Sequence, residues 1–264
     1  MDLPDLNGKT ALVTGGGRGI GRATALAVAG CGAHVVVVAR TLEEIAAVEH
    51  EIEAAGGEAS AIVCDVSDSV DVQKLFQAVP PIDVLVNSAG IIQPIAPAAT
   101  VSPPDWLHDI AVNLGGIFLT CRYALPGMLQ RGWGRIVNVS SGAARGTTVG
   151  WSAYSAAKAG VETFTRVVAL EVADRGVRVN AIRPGVVDTE MQVEIRSSRE
   201  EDFGTENLAR FRSYKERGIL RDPEEPARLI LWLLTPDADE VNGEVLAIDD
   251  PEVATRIGLE PGGR

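Results

Sequence analysis

The sequence predicts an α/β fold: a doubly wound sheet of seven parallel strands with helices on both faces. Three observations carry the prediction. Short β-branched runs alternate with helical patterns along the chain. His34 to Ala39 (His-Val-Val-Val-Val-Ala) is apolar on successive positions, so both faces of that strand must be covered. Residues able to do chemistry recur just after strands, where open α/β sheets hold their ligands.

The elements follow in order. Thr10 to Thr14 is a strand that runs into glycines, and a helix is expected from Gly19 to Ala29. After the strand His34 to Ala39, Thr41 can cap a helix from Leu42 to Ala55 that stops at Gly56-Gly57. Ala59 to Cys64 is a strand, with a helix starting near Ser67-Asp68; Ile82 to Asn87 is a strand, with helices from Pro103 to Gln130. Arg135 to Val139 precedes a helix from Ser152 to Asp174, and Val177 to Ile182 precedes an irregular helical stretch to Arg217. A helix from Pro223 to Leu234 and a strand from Glu244 to Ile248 complete the pattern. No linker or repeat interrupts it, so residues 1–264 read as one domain.

Composition narrows the function. The 264 residues are 46% hydrophobic and 23% charged, enough for a sizeable core. A net charge of −12 argues against a nucleic-acid partner. The arginines from Arg196 to Arg217 are interleaved with Glu194, Glu200, Glu201, Glu206 and Glu216, as on a solvated helical face. Cys31, Cys64 and Cys121 are odd in number and lie in apolar settings, which fits reduced thiols. His34, His50 and His108 show no metal-ligand spacing, and no metal is expected. No apolar run nears ~18 residues and the start lacks a signal pattern, so the expectation is a soluble, cytoplasmic protein with no membrane partner.

Thr14-Gly15-Gly16-Gly17-Arg18-Gly19-Ile20-Gly21 joins the first strand to its helix. Glycines there let backbone approach a pyrophosphate, and the helix amino terminus offers free N–H groups and partial positive charge. Three more post-strand segments agree. Asp65-Val66 places a carboxylate where it can meet an adenine amino group or cap the next helix. Asn87-Ser88-Ala89-Gly90 is small enough to lie against a ribose and nicotinamide, and Pro184-Gly185-Val186-Val187-Asp188-Thr189 follows the sixth strand.

Tyr154 and Lys158 stand four residues apart on a helix, which sets a phenol and an ammonium on one face. A tyrosine in water titrates near ~10, and a neighbouring cation favours its ionised form. The spacing therefore reads as a proton-transfer pair.

With these motifs together, the chain resembles the short-chain dehydrogenase/reductases from about Gly8 to Ile248. The resemblance rests on Thr14 to Gly21, Asn87 to Gly90, Asn113, Ser141, Tyr154, Lys158 and Pro184-Gly185, in the family's order. It implies a single Rossmann domain and a catalytic set of Asn113, Ser141, Tyr154 and Lys158. Ser141 would hold the substrate oxygen, Tyr154 would give it a proton, Lys158 would bind the nicotinamide ribose, and Asn113 would help hold a water that reprotonates the lysine. The family spacing selects Ser141 over Ser140, which reads as a turn residue. The cofactor contacts implied are Gly15, Arg18, Gly19, Ile20, Gly21, Arg40, Asp65, Val66, Asn87, Ala89, Gly90, Tyr154, Lys158, Pro184, Gly185, Val187 and Thr189.

The second strand ends in Ala39-Arg40-Thr41, with no acid to meet an adenosine ribose. A guanidinium at Arg40, with Arg18 beside it, favours NADP(H) over NAD(H). The chain departs from the family in two places: Ser88 stands where a second Asn is common, and Ile248-Asp249-Asp250-Pro251 replaces the usual Asp-Gly-Gly. The tail, residues 251–264, alters the carboxyl edge of the fold.

Ile92, Trp151, Met191, Phe203 and Phe211 would give the pocket an apolar wall suited to a small-molecule ketone or aldehyde, or the matching alcohol. Arg145 reads as an exposed residue able to steer an anion. Residues 186–217 read as a substrate lid. The helices Trp106 to Gln130 and Ser152 to Ala173 carry spare apolar residues, and by resemblance they would build a homodimer or homotetramer. The function expected is an NADP(H)-dependent oxidoreductase of carbonyl reductase type. A 3-oxoacyl-thioester reductase of the same family and a non-catalytic nucleotide-sensing protein are the alternatives.

Overall fold

The computed structural model describes residues 2–260, and the last four residues of the tail, 261–264, lie outside the described residues. The strands are β1 (Thr10–Thr14), β2 (His34–Ala39), β3 (Glu58–Val63), β4 (Val84–Asn87), β5 (Gly134–Val139), β6 (Val177–Arg183) and β7 (Val245–Ala247). They form one seven-stranded sheet in the order β3-β2-β1-β4-β5-β6-β7, with every pairing parallel. The strand order reverses between β1 and β4, and the crevice at that switch point is where such sheets bind ligands.

The pleat sorts the core into two layers. Ala11, Val13, Val35 and Val37 pack on one face with α1 (Gly19–Ala29), α2 (Leu42–Ala54) and α10 (Glu224–Trp232). Leu12, Val36, Val38 and Leu85 pack on the other with α3 (Ser69–Ala78), α5 (Gly116–Arg131) and α6 (Ser152–Glu171). Val35 to Val38 are all 0% exposed, which explains why β2 is apolar on successive positions. Each such valine stabilises the sheet by about 1.5–3 kcal/mol relative to an exposed one.

Local chemistry sets the element ends. Asp68 accepts from the amides of Val70 and Asp71 and so caps α3, a role Asp65 is not needed for. The helical region after β4 has three parts: α4 (Pro103–Ile110), a π-helical turn (Ala111–Gly115), and α5 with Pro126 inside it. The Gly116 amide donates to the Ala111 carbonyl, five residues back, and the wide turn carries Asn113. Residues 186–217 contain α7 (Glu190–Arg196), α8 (Glu200–Phe203) and α9 (Thr205–Glu216). After β7, α11 (Pro251–Arg256) is capped by Asp250, so part of the tail is an ordered helix.

Among the described residues no helix is long and apolar enough to cross a membrane, and no cluster of three or more His, Cys, Asp or Glu could hold a metal ion.

Candidate active site

A cleft of about 930 Å³ runs along the carboxyl ends of the strands, from the glycine loop to α7 and α9. At one end, α1 begins with Arg18 as its N-cap residue, and no side chain caps it. The first amides of the helix are left for an anion. Gly15 has φ +64°, and a Cβ there would lie 2.8 Å from the Ala89 backbone. A Cβ on Gly21 would lie 2.1 Å from the Gly15 carbonyl, so the loop closes only without side chains. Thr14 Oγ1 accepts from the amides of Ser88 and Ala89, both at 3.2 Å, which ties the β4 loop to the glycine loop. This backbone cradle beside an open helix amino terminus fits a dinucleotide pyrophosphate.

Of the expected cofactor contacts, Gly15, Arg18, Gly19, Ile20, Gly21, Arg40, Asp65, Val66, Ala89, Gly90, Pro184, Gly185, Val187 and Thr189 all line this cleft. The Asn87 side chain does not. It is buried, donating to Asn138 Oδ1 at 2.9 Å and accepting from the Thr120 hydroxyl at 2.7 Å. That network turns the amide inward and leaves only its backbone neighbours at the cleft.

Two cations stand near the adenosine end in different states. Arg40 is exposed at the cleft and has no hydrogen bond or ion pair with a described residue. Arg18 is ion-paired to Glu190 at the start of α7. Partial burial pushes the Asp65 carboxyl up, but the Ser67 hydroxyl and amide and the Arg40 charge outweigh it and hold it below the ordinary range. Glu44 also lines this end, its carboxylate against Gly17, and nothing in the sequence pattern singles it out.

At the other end, α6 carries Tyr154 and Lys158 to the floor of the cleft, 7% and 4% exposed. Ser141 follows β5 and faces the phenol. Ser140 is not merely a turn residue: its hydroxyl donates to Glu162 at 3.0 Å, and Glu162 takes both arms of Arg183 at 2.7 and 2.6 Å. Lys158 Nζ donates to the Val139 carbonyl at 2.9 Å. Asn113 is fully buried and clasps Ile91, donating to its carbonyl at 2.9 Å and accepting from its amide at 3.2 Å. Asn113 lies directly behind Gly90, where a Cβ would come within 2.8 Å of its Oδ1 and 3.6 Å of Lys158 Nζ.

The expectation that Lys158 lowers the phenol's pKa is not met in this structure. Burial pushes Tyr154 up to about 12, with Ser141 pulling it back and the Asp109 charge raising it further. Burial brings Lys158 down to about 8, opposed by Asp109. Desolvation is the largest cause of both shifts, because both side chains are buried. That wall is a separate apolar cluster of Ile92, Ile95, Trp151, Ile195, Phe203 and Phe211 around Tyr154, with Met191 packed beside it. The Trp151 ring meets Tyr154 edge-on at 5.6 Å. Sequence patterns did not mark Asp109, Glu162, Arg183 or Glu190; each gains its role from a partner distant along the chain or from burial.

The family model for short chain dehydrogenases matches residues 9–200. The chain belongs to the short-chain dehydrogenase family. Over 250 residues the dehydrogenase is 40% identical to a 3-oxoacyl-[acyl-carrier-protein] reductase of Synechocystis sp., covering 92% of this chain and 96% of that one. It is 38% identical to 3beta-hydroxysteroid dehydrogenase 1 of Eggerthella lenta over 251 residues, covering 93% and 94%. Among solved structures it resembles a putative NAD(P)-dependent gluconate 5-dehydrogenase from Beutenbergia cavernae with bound NADP. That likeness has a TM-score of 0.84 and 37% identity, covering 95% of this chain and 98% of that one. Members of this family are oxidoreductases that bind NAD(P), and the seven-stranded sheet described above is theirs.

Proposed function

We propose that this dehydrogenase is an NADP(H)-dependent carbonyl reductase that converts a ketone or aldehyde to an alcohol and runs in reverse. The observation that carries the reading is the convergence of Tyr154, Ser141 and Lys158 on one cleft with the open amino terminus of α1. The bound nicotinamide nucleotide supplies or accepts the hydride. Gly15, Gly19, Ile20, Gly21, Ala89, Gly90, Pro184, Gly185, Val187 and Thr189 hold it by backbone and shape, with Asp65 and Val66 at the adenine and Arg40 at the 2′-phosphate.

The chain's own residues handle the proton. Ser141 donates to the substrate oxygen as negative charge grows there, and Tyr154 gives that oxygen its proton. A phenol raised to about 12 stays fully protonated at neutral pH, the form a proton donor needs. Lys158 stabilises the phenolate left behind and is held in line by the Val139 carbonyl. Asn113 fixes the Ile91 backbone and the π turn beside Lys158, where a water can reach the lysine.

The segment from α7 to α9 serves as the lid, with Glu190 at its start ion-paired to Arg18 of the glycine loop. Phe118, Val167 and Leu170 remain 48–79% exposed on α5 and α6, and these faces pair the subunits into a dimer or tetramer.

The named relatives act on an acyl thioester, a steroid and a sugar acid, so the family leaves the substrate open. The apolar wall favours a compact ketone over a bulky charged one. The net charge of −12 disfavours docking of an acidic carrier protein. The test is cofactor consumption with cyclohexanone, acetoacetyl-coenzyme A, 5-ketogluconate and a 3-oxosteroid, with NADPH and NADH in parallel. Turnover of at least one ketone with NADPH ahead of NADH is expected. Binding of NADPH without turnover of any carbonyl would make the protein a nucleotide sensor instead.

A further inference from the structure

Asp109 is 0% exposed, yet neither carboxylate oxygen has a hydrogen-bond partner among the described residues. A buried carboxyl of this kind costs stability, and such groups call for an explanation. It lies one helical turn before Asn113, where α4 gives way to the π turn, and α4 packs against α6. The charged groups that act on it are Lys158 from α6 and exposed His108 on its own helix, and Tyr154 on α6 feels its charge in turn. Asn113 gives one N–H to the Ile91 carbonyl, and its second N–H, without closing a full hydrogen bond, is the side-chain donor that draws the Asp109 carboxyl down. Lys158 lines the cleft and Asp109 does not, so the carboxyl acts on the lysine from within the protein.

We propose that Asp109 is the inner proton-exchange group of this site, a positioning residue that tunes the charge of Lys158 and replaces the proton Lys158 gives up. The inference rests on the carbonyl-reductase reading above. In reduction, the Tyr154 O–H bond breaks as the alcohol O–H forms, with hydride drawn from the reduced nicotinamide nucleotide. Lys158 makes good the proton lost by Tyr154. The Asp109 O–H then yields its proton to the lysine amine through water, and bulk solvent restores the carboxyl. Oxidation runs the same steps backwards, with Asp109 taking the proton out. Burial raises this carboxyl to about 6, opposed by Asn113, Lys158 and His108, so it can hold or release a proton near neutrality.

The test compares the parent with Asp109→Asn in cyclohexanol oxidation with NADP⁺ from pH 5 to 9. The parent rate should rise through an inflection near pH 6. Asp109→Asn should lack that inflection and lose about tenfold or more in kcat with KM for NADP⁺ little changed. A profile of the parent's shape, merely scaled, would overturn the proposal. Difference infrared spectroscopy of the nucleotide-bound proteins is the readout that needs no turnover. The parent should lose a carboxylic-acid C=O band between pH 5 and 7 that Asp109→Asn never shows, and spectra without that difference would overturn it too. Failure of the reductase reading looks different: the infrared band is present, but no alcohol is oxidised or Tyr154→Phe is as fast as the parent.

Discussion

The Lys158 ammonium lies 5.7 Å from the centre of the Tyr154 ring, yet its hydrogen bond goes to the Val139 carbonyl at 2.9 Å. The lysine is therefore anchored to the end of β5 rather than to the phenol. Its charge is available to the phenolate, while its position is set by the sheet.

Arg40 is the one adenosine-end cation of this cleft with no ion-pair partner among the described residues, Arg18 being engaged by Glu190. Arg40→Asp should remove the phosphate contact and add a carboxylate for the ribose hydroxyls, moving selectivity toward NADH by about tenfold or more. The ratio of kcat/KM for NADPH and NADH measures it; an unchanged ratio removes Arg40 from the account.

The Arg18–Glu190 pair is 54% and 65% exposed, so its own contribution to stability is small, below about 1 kcal/mol. Glu190→Gln should leave the melting temperature nearly unchanged and free Arg18 for the nucleotide. Calorimetric titration should then show NADPH bound a few-fold more tightly, by about threefold. Weaker binding would mean the pair acts as a latch that the nucleotide needs.

Arg183 and Glu162 are only 9% and 6% exposed, joined by two short hydrogen bonds. Glu162→Gln leaves a buried guanidinium without its counter-charge and should destabilise the fold by about 3–5 kcal/mol. The denaturant midpoint reports it. Because Arg183 also lines the cleft, nucleotide affinity should fall with it.

Stability should also depend on Asp109. Its folded pKa, about 6, lies above the ordinary 3.8, so the folded state holds its proton more tightly. The parent's stability from this group is fully present below pH 4 and declines as pH rises through 6. Asp109→Asn does not titrate, so its stability relative to the parent should climb across that window by on the order of 3 kcal/mol. Denaturant melts at pH 4, 5, 6 and 7 give the slope; a flat difference contradicts a buried, titrating carboxyl.

The fold was legible because its signals are local. The unbroken valines of β2, the glycine turn after Thr14 and the repeated strand–helix alternation need no partner to be recognised. The cleft was legible for a related reason: ligand-facing residues follow strands, and of the cofactor and catalytic residues singled out all but Asn87 and Asn113 line it, while Phe203 and Arg145 do not. Asn87 escaped because its amide is claimed by Asn138 and Thr120, which no spacing reveals. Glu190 and Arg18 meet across 172 positions, and the unpaired state of Asp109 depends on packing between α4 and α6. The rise of Tyr154 rather than its fall has the same origin, since burial under the Trp151, Phe203 and Phe211 wall is a tertiary property.

The central claim is that the Tyr154 hydroxyl carries the proton in reversible hydride transfer. Tyr154→Phe removes that oxygen and leaves the ring against Trp151, so it should fold and bind NADPH as the parent does. Measured with the best ketone of the panel, its kcat should fall by about 10²–10⁴-fold. A nucleotide-saturated Tyr154→Phe protein that turns over at the parent rate would contradict the account.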